Sequence, residues 1–402
     1  MTSALSSRSA TLQIVSIVCF SFIGYLGVGI TLAVIPGLVH ERLGYSALLA
    51  GLVISLQYLV TLGVRPLAGR LIDSAGPKRA IIHGLAGCAC SGLLMALAAL
   101  WLDRPPLSLG LLLLSRVALG GALSLIASAS ITWGIGQLGG SGTGRVISWN
   151  GIACYAGIAF GAPLGTWLTG RYGLSSMGLS VLLAALAGLA LAGAKTGVPP
   201  QIGERLGFMK VLGRVTPHGL ALALGTLGYG TIAAFITLYY GSHGWAHAEY
   251  CLTAFGFSFI AARLLFARAI DRFGGSPVAM VSLLVEAIGL ALLWAAPDRL
   301  ATMAGASLTG FGFSLVFPAL GVEAVKLAPA ASRGSTIGAY SLFLDLALGI
   351  CGPLMGLIIA NQGFRSVFLL CTVAAFGALA LTLTLHRRSG PAAGLATLEG
   401  KP

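Results

Sequence analysis

Charge is what this sequence has least of. Asp, Glu, Lys and Arg make up 9% of its 402 residues and hydrophobic residues 57%, against about 25% charged in an ordinary soluble protein. With a mean hydropathy of +0.94, that scarcity excludes a water-soluble globule. Polar linkers are missing too, so the chain does not divide into the separate domains of roughly 150 residues that its length would suggest. Acidic residues number 11 against 24 basic ones. In a soluble chain the excess of +13 would point to nucleic acid, which attracts clustered Lys and Arg; in a membrane chain it marks cytoplasmic loops, and no nucleic-acid partner is expected. The seven cysteines (Cys19, Cys88, Cys90, Cys154, Cys251, Cys351, Cys371) all fall in apolar runs without a CxxC spacing, which argues against a disulfide frame and for small buried hydrophobes. HExxH and GxSxG are absent and no loop is long enough for a catalytic domain, so an enzyme is not expected. His243 and His247 stand four apart with Glu249 near them, but beside Gly244 in a loop. Solvated histidines fit that setting better than a zinc site, and neither a metal nor another cofactor is expected.

Glycine and long apolar runs are what the chain has in excess. Glycine occurs 58 times, about twice its usual share of about 7%, with no collagen period; glycine is frequent in packed membrane helices. Crossing a bilayer takes about 20 apolar residues, and twelve runs suffice: 12–39, 46–67, 80–101, 107–138, 146–172, 174–194, 216–241, 247–269, 277–296, 299–326, 335–361 and 364–385. The first is too long and too glycine-rich for a removable signal peptide. The expectation is an all-α membrane protein of twelve transmembrane helices in two six-helix bundles, 1–194 and 216–386. A linker at 195–215, with Pro199, Pro200 and Glu204, joins them, and a tail at 387–402 follows. With both termini in the cytoplasm, 18 of the 24 basic residues, Arg65 and Arg263 among them, fall on that side against five opposite. That bias sets the topology.

The halves repeat. RPLAGRLIDSAGP at 65–77 aligns without a gap on RLLFARAIDRFGG at 263–275, so that Arg65, Leu67, Arg70, Ile72, Asp73 and Gly76 match residues 198 positions later. Further on the offset is 190, pairing Gly120, Ser124 and Leu125 with Gly310, Ser314 and Leu315, and Pro163 with Pro353. Parallel repeats about an axis along the membrane normal are a transporter architecture, with the site between the halves.

At this point the whole chain resembles the major facilitator superfamily. Gly69, Leu71, Asp73, Gly76 and Lys78 match the family's G-x-L-x-D-x-x-G-x-K loop motif; the second copy keeps Asp271 and Gly274 and has Ala267 for the first glycine. The resemblance implies a cytoplasmic gate in which Arg70, Asp73 and Lys78 latch that face. AGLVISLQYLVTLGVRPLAGR, GRVISWNGI and GFSLVFPALGVEAVK are similar to the YhhS-type group of bacterial facilitators, read as exporters of sugars or small polar molecules across the inner membrane. Gly157, Gly161, Pro163 and Gly165 resemble the family's antiporter motif, with Ala162 where that motif has glycine; Gly349, Gly352, Pro353 and Gly356 restore the pair in the eleventh span. Gly161, Pro163, Gly352 and Pro353 are the expected bending points, and the same small-residue pattern also serves plain helix packing. The resemblance thus implies export by antiport, with uptake by symport as the alternative, no cofactor beyond a proton gradient, the lipid bilayer as solvent, a small-molecule substrate and a monomer.

Charges deep in the spans carry the functional expectation. Arg116 lies about nine residues into the fourth span and Asp345 about ten into the eleventh, which is roughly 14 to 15 Å. Each costs on the order of 2.5 to 3.5 kcal/mol there unless it is paired or faces water. The offset of 190 sets Ala306 opposite Arg116 and Tyr155 opposite Asp345, leaving a cation in one half and an anion in the other. Asp345 is the candidate proton carrier. Arg116 has three readings: a ligand for an anionic or polar substrate group; a part of the proton path, as the resemblance of Arg116-x-x-x-Gly120 to the family's fourth-span arginine motif implies; or one half of a static pair with Asp345. Glu286, in the ninth span, reads either as a third coupling residue or as a packing or snorkelling one. Gln57, Tyr58, Asn150, Tyr229 and Tyr340 lie on spans that the resemblance places around the cavity, where each suits either a substrate or a helix-helix hydrogen bond.

Overall fold

A computed structural model describes residues 7–138, 143–199, 208–327 and 333–388, and among them every regular element is helical. The first half comprises α1 (Ser7–Gly37, running on into a wider turn at Leu38–Arg42), α2 (Ala47–Ala75), α3 (Pro77–Leu100), α4 (Pro105–Leu138), α5 (Thr143–Tyr172) and α6 (Ser175–Ala194). The second comprises α7 (Phe208–Ser242), α8 (Glu249–Leu265), the short α9 (Ala269–Phe273), α10 (Gly275–Ala295), α11 (Arg299–Lys326), α12 (Arg333–Gln362) and α13 (Phe364–Arg388). Spans one to eight are therefore α1 to α8, and spans nine to twelve are α10 to α13.

Eleven of these helices are long and apolar enough to cross a membrane. The twelfth, α8, has 17 residues, about 25 Å of helix. The expected span at 247–269 thus breaks at 266–268 and resumes as α9; nothing in Phe266-Ala267-Arg268 itself dictates the break. The second span departs the other way. It was expected to stop at 67, yet α2 continues through Pro66 to Ala75, because one proline removes a single i to i−4 bond and the neighbouring turns hold. Arg65 thus lies about ten residues, or roughly 15 Å, from the helix end. Arg65 and Arg263 are therefore residues of the helices, not of the loops to which charge counting assigned them; the remaining basic residues still favour the same face. In the linker expected at 195–215, α7 has begun by Phe208. Residues 200–207 and the tail from 389 onward lie outside the described residues, and 387–388 close α13.

Each half packs in the same way. In the first, α1 lies on α5, α4 on α2 and α3, and α6 on α3; in the second, α7 lies on α12, α11 on α8 and α10, and α13 on α10. The correspondence extends to single residues. Gly76 and Gly274 both take φ +84° between the end of one helix and the start of the next, a conformation glycine adopts without steric cost. Gly120 abuts the backbone oxygen of Gln57, and Gly310 that of Phe255, 198 positions beyond Gln57. Leu12, Trp167, Leu183 and Val281 are exposed on the outside, as contact with lipid requires, while the helices satisfy their own backbone polar groups.

Candidate functional site

The bundles meet chiefly along two seams, α2 on α12 and α5 on α8, with lesser contact between α1 and α7. On the first, Gly51 and Gly352 lie back to back, so close that a Cβ on either would enter the other's backbone oxygen. The Ser55 hydroxyl donates to the Leu348 carbonyl at 3.0 Å and accepts from the Gly352 amide at 2.9 Å. Deeper, the Arg65 guanidinium pairs with the Asp345 carboxylate. The Asp345 side chain is 5% exposed and that of Arg65 26%, so space not filled by protein reaches the pair from the guanidinium side. On the second seam, Thr253 donates to the Ala159 carbonyl at 3.0 Å, Phe160 meets Phe257 edge to face at 5.2 Å, and Gly256 packs on Ala159. At its deep end the Arg263 guanidinium lies over Gly151.

All these contacts lie between the face opposite the termini and the level of the two arginines. α4 packs on α1, α2, α3 and α5, and α11 on α7, α8, α10 and α12, each within its own bundle. The described contacts between the halves thus run from the far face to the two arginines.

Between the arginines lies an aromatic centre. Tyr155 stacks on Phe259 with centroids 3.6 Å apart and meets Tyr229 at 5.6 Å; Tyr229 in turn stacks on Phe255 at 5.2 Å and Phe313 at 5.8 Å. The Tyr58 hydroxyl faces Tyr229 and Gln57 without a formed hydrogen bond. Tyr25 stands within electrostatic reach of Cys154, Tyr58, Asp345 and Tyr155. The ensemble offers flat apolar faces, phenol hydroxyls, two guanidiniums and one carboxylate, the makings of a site for a small amphipathic molecule.

Several expected residues stand elsewhere. Arg116 does not pair with Asp345. It is fully buried inside the first bundle, where it donates to Thr31 at 3.0 Å, Gln57 at 3.2 Å, Ser115 at 3.3 Å and the Met95 sulfur at 2.8 Å; the rotation of α4 turns it towards α1, α2 and α3. Gln57 is thereby engaged with Arg116. Asn150 accepts from Ser21 on α1 at 2.6 Å, and Tyr340 donates to the Phe317 carbonyl on α11 at 3.1 Å, so each bonds within its own bundle. Glu286 is not a snorkelling residue: it is 0% exposed, both carboxylate oxygens lack a hydrogen-bond partner among the described residues, and it points at Gly225 and Gly228 of α7. Tyr58, Tyr229 and Asp345 are the expected residues that the fold brings to the centre.

The gate residues lie at the terminal face. Arg70 and Asp271 are exposed there, and the Lys78 ammonium donates to the Gly193 and Lys195 carbonyls at 2.9 and 2.5 Å, bracing the end of α6 in its own bundle. Asp73 follows on the same stretch of α2, and nothing lies within 4 Å of where a Cβ on Gly69 would stand. Of the expected bending points, Gly161 packs on the backbone of α1 and Gly352 on that of α2, and both helices run unbroken through Pro163 and Pro353. His247 bonds Glu249 at 3.1 Å, and the described residues hold no metal-binding cluster.

Sequence reasoning missed Tyr25, Arg65, Tyr155, Arg263 and the three phenylalanines as site residues. The signal for three of them was present, since Arg65 and Arg263 head the repeated segment and Tyr155 answers Asp345 in the repeat.

The pattern of the Major Facilitator Superfamily matches residues 17–246 and 218–401. A Pseudomonas aeruginosa protein named an uncharacterized MFS-type transporter is 60% identical over 382 residues, covering 95% of each chain. A Burkholderia mallei protein similarly named is 50% identical over 389 residues, covering 97% of this chain and 96% of its own. Among solved structures, a D-xylose-proton symporter superposes with a TM-score of 0.74 at 18% identity, over 91% of this chain and 96% of that one. A point mutant of the nucleoside transporter NupG follows at 0.71 and 14%, over 92% and 99%. At these identities the structural likeness speaks for the fold alone.

Proposed function

This chain belongs to the Major Facilitator Superfamily, a family of transporters and not of enzymes, and on that premise we propose that it exports a small polar or amphipathic solute across the bacterial inner membrane by proton antiport. The observation that carries the reading is the Arg65–Asp345 pair. It crosses between bundles at the deep end of the contacts described for the first seam and borders the aromatic centre. Solute entering the centre from the terminal side competes with Asp345 for Arg65, and so loosens the deepest tie of the first seam. The far-face contacts are then free to open while the terminal face closes. In this reading the terminal face is cytoplasmic, and the form in which Arg65 and Asp345 are paired is the one that has given up its proton inside and takes solute from that side. After solute leaves on the far side, a proton taken from that side neutralises Asp345 and lets the emptied centre return to the terminal-face-open form, where release of the proton inside restores the pair with Arg65 and completes the exchange. Charge neutralisation is the switch, and the rigid bundles are the two-state element it biases.

Everted vesicles acidified by respiration test this directly. Addition of sugars, amino-acid derivatives and amphipathic drugs in turn is expected to include compounds that release lumenal protons only when the wild-type chain is present, and Asp345→Asn is expected to lose that release while inserting normally. Solute-driven acidification of the lumen would establish symport instead, and full release in Asp345→Asn would remove the proton-carrying role.

A further inference from the structure

The repeat relating the two halves isolates one residue. Arg65 on α2 answers Arg263 on α8, and Asp345 on α12 answers Tyr155 on α5. In the first seam the cation meets its carboxylate; in the second the corresponding cation faces a tyrosine, and the carboxylate is missing. Arg263 is 7% exposed. Its Nε and Nη2 both donate to the Ser314 carbonyl, at 3.3 and 2.9 Å, and its guanidinium carbon lies 5.1 Å from the Phe259 ring. The charged and titratable neighbours that act on it are the Tyr155 hydroxyl and the Cys154 thiol. Nη1 makes no hydrogen bond among the described residues and reaches across to α5. There Gly151 gives it room: a Cβ on that residue would stand 2.6 Å away. One carbonyl and one ring face do not neutralise a buried guanidinium, for which the usual partner is a carboxylate or another oxyanion.

We propose that Arg263 binds the anionic head of the transported solute, an organic anion with an oxyanion group on an apolar body. This rests on the transport reading and narrows its substrate class. The bound anion supplies to the second seam the charge that Asp345 supplies to the first. The N–H fork of a guanidinium suits a two-oxygen head, and the rings of Tyr155, Tyr229 and Phe313 lie beside it to receive the body. Because Arg263 sits on α8 and Gly151 on α5, the head lies where one bundle meets the other, so its binding energy falls on the surface that the transport cycle rearranges.

The test is binding of 2-naphthoate against 2-naphthamide, which share a ring system and differ in charge, to the full chain in lipid nanodiscs by isothermal titration calorimetry. Wild type is expected to bind the acid at least tenfold more tightly than the amide. Arg263→Gln is expected to erase the preference and Arg263→Lys to keep part of it. Because Arg263→Gln also cuts the bonds to Ser314, the deciding variant is Tyr155→Asp, which leaves Arg263 in place and builds in the missing carboxylate. It is expected to erase the preference as well. Wild type that shows no preference for the acid, or a preference that survives Arg263→Gln or Tyr155→Asp, overturns the proposal. A chain that exchanges protons for solutes yet treats acid and amide alike breaks this inference alone. One that selects the acid through Arg263 and moves no protons breaks the transport reading alone.

Discussion

The two seams start alike and end differently. Near the far face, Ser55 on α2 and Thr253 on α8, 198 positions apart, each donate at 3.0 Å to a carbonyl of the opposite bundle, that of Leu348 or Ala159. Close glycines accompany both, Gly51 and Gly352 on one side and Gly256 on the other. At the deep end the symmetry fails: Arg65 has Asp345, and Arg263 has Tyr155 and the Phe259 ring. The shared geometry of the rims is what two equivalent bundles need in order to close. The divergence below sets the charge of the site, one cation neutralised by the protein and one left for a ligand. Duplication supplies a frame of two equal seams, and function resides where the copies ceased to be equal.

The largest break in the comparison is to remove the one carboxylate. Asp345→Asn makes the first seam as unpaired as the second and is expected to lower proton-coupled flux in proteoliposomes by at least 100-fold, or about 2.7 kcal/mol. Stability separates this loss from simple damage. Taking away one partner leaves Arg65 uncompensated, so unfolding of Asp345→Asn in mixed micelles is expected about 2 kcal/mol easier than wild type; this is below the 3–5 kcal/mol of a fully buried pair because the Arg65 side chain keeps 26% exposure. Arg65→Gln combined with Asp345→Asn is expected to recover most of that stability and none of the flux. Recovery of flux in the double variant would make the pair a static brace.

How much of this was legible in the sequence depends on which physical rule wrote it. Span number, the repeat and the two halves are written in length and hydropathy, which the bilayer imposes on every residue along a helix. The depth of Arg116 and Asp345 was legible for the same reason. Their relation was not, because depth along a helix says nothing of rotation about it: Arg116 turns into its own bundle, to Thr31 and Gln57, and Asp345 turns out, to α2. Arg65 was hidden differently. It stands at the polar end of an apolar run, followed by Pro66, Arg70 and Asp73, so hydropathy ends the span where the helix does not. The aromatic centre was invisible because Phe255, Phe259 and Phe313 are ordinary membrane residues until three helices bring their faces together.

Glycine at the rims allows a finer cut. A Cβ on Gly352 would meet the Gly51 carbonyl and the Ser55 hydroxyl, whereas one on Gly256 would meet chiefly the Ala159 methyl group, at 2.6 Å. Both helices must shift to admit an alanine, at a cost of about 1 to 3 kcal/mol for overpacking. Gly352→Ala is expected at the upper end, since it also displaces the Ser55 hydroxyl, and Gly256→Ala at the lower. Labelling of a cysteine put in place of Ser55, which already carries a Cβ on this seam, tested from the far side in each background, reads the consequence: more labelling with Gly352→Ala than with Gly256→Ala. Equal labelling would mean that the seams loosen together, as one hinge.

The smallest contrast lies in the two hydroxyls. Ser55 both donates to Leu348 and accepts from the Gly352 amide, so Ser55→Ala removes two bonds across the seam. Thr253 shares its single proton between Ala159 across the seam and Glu249 in its own helix, at 3.0 and 3.1 Å, so Thr253→Ala removes one shared bond. Hydrogen bonds between membrane helices average about 0.6 kcal/mol, which places the expected losses near about 1 kcal/mol for Ser55→Ala and about half that for Thr253→Ala in mixed-micelle unfolding. The order matters more than the size. If Thr253→Ala proves the more damaging, α5 and α8 hold the bundles together more firmly than α2 and α12, and the seam with the unpaired arginine is then the fixed pivot. If the order is as expected, the Asp345 seam carries the far-face closure, and the group that takes the proton sits on the contact that has to open.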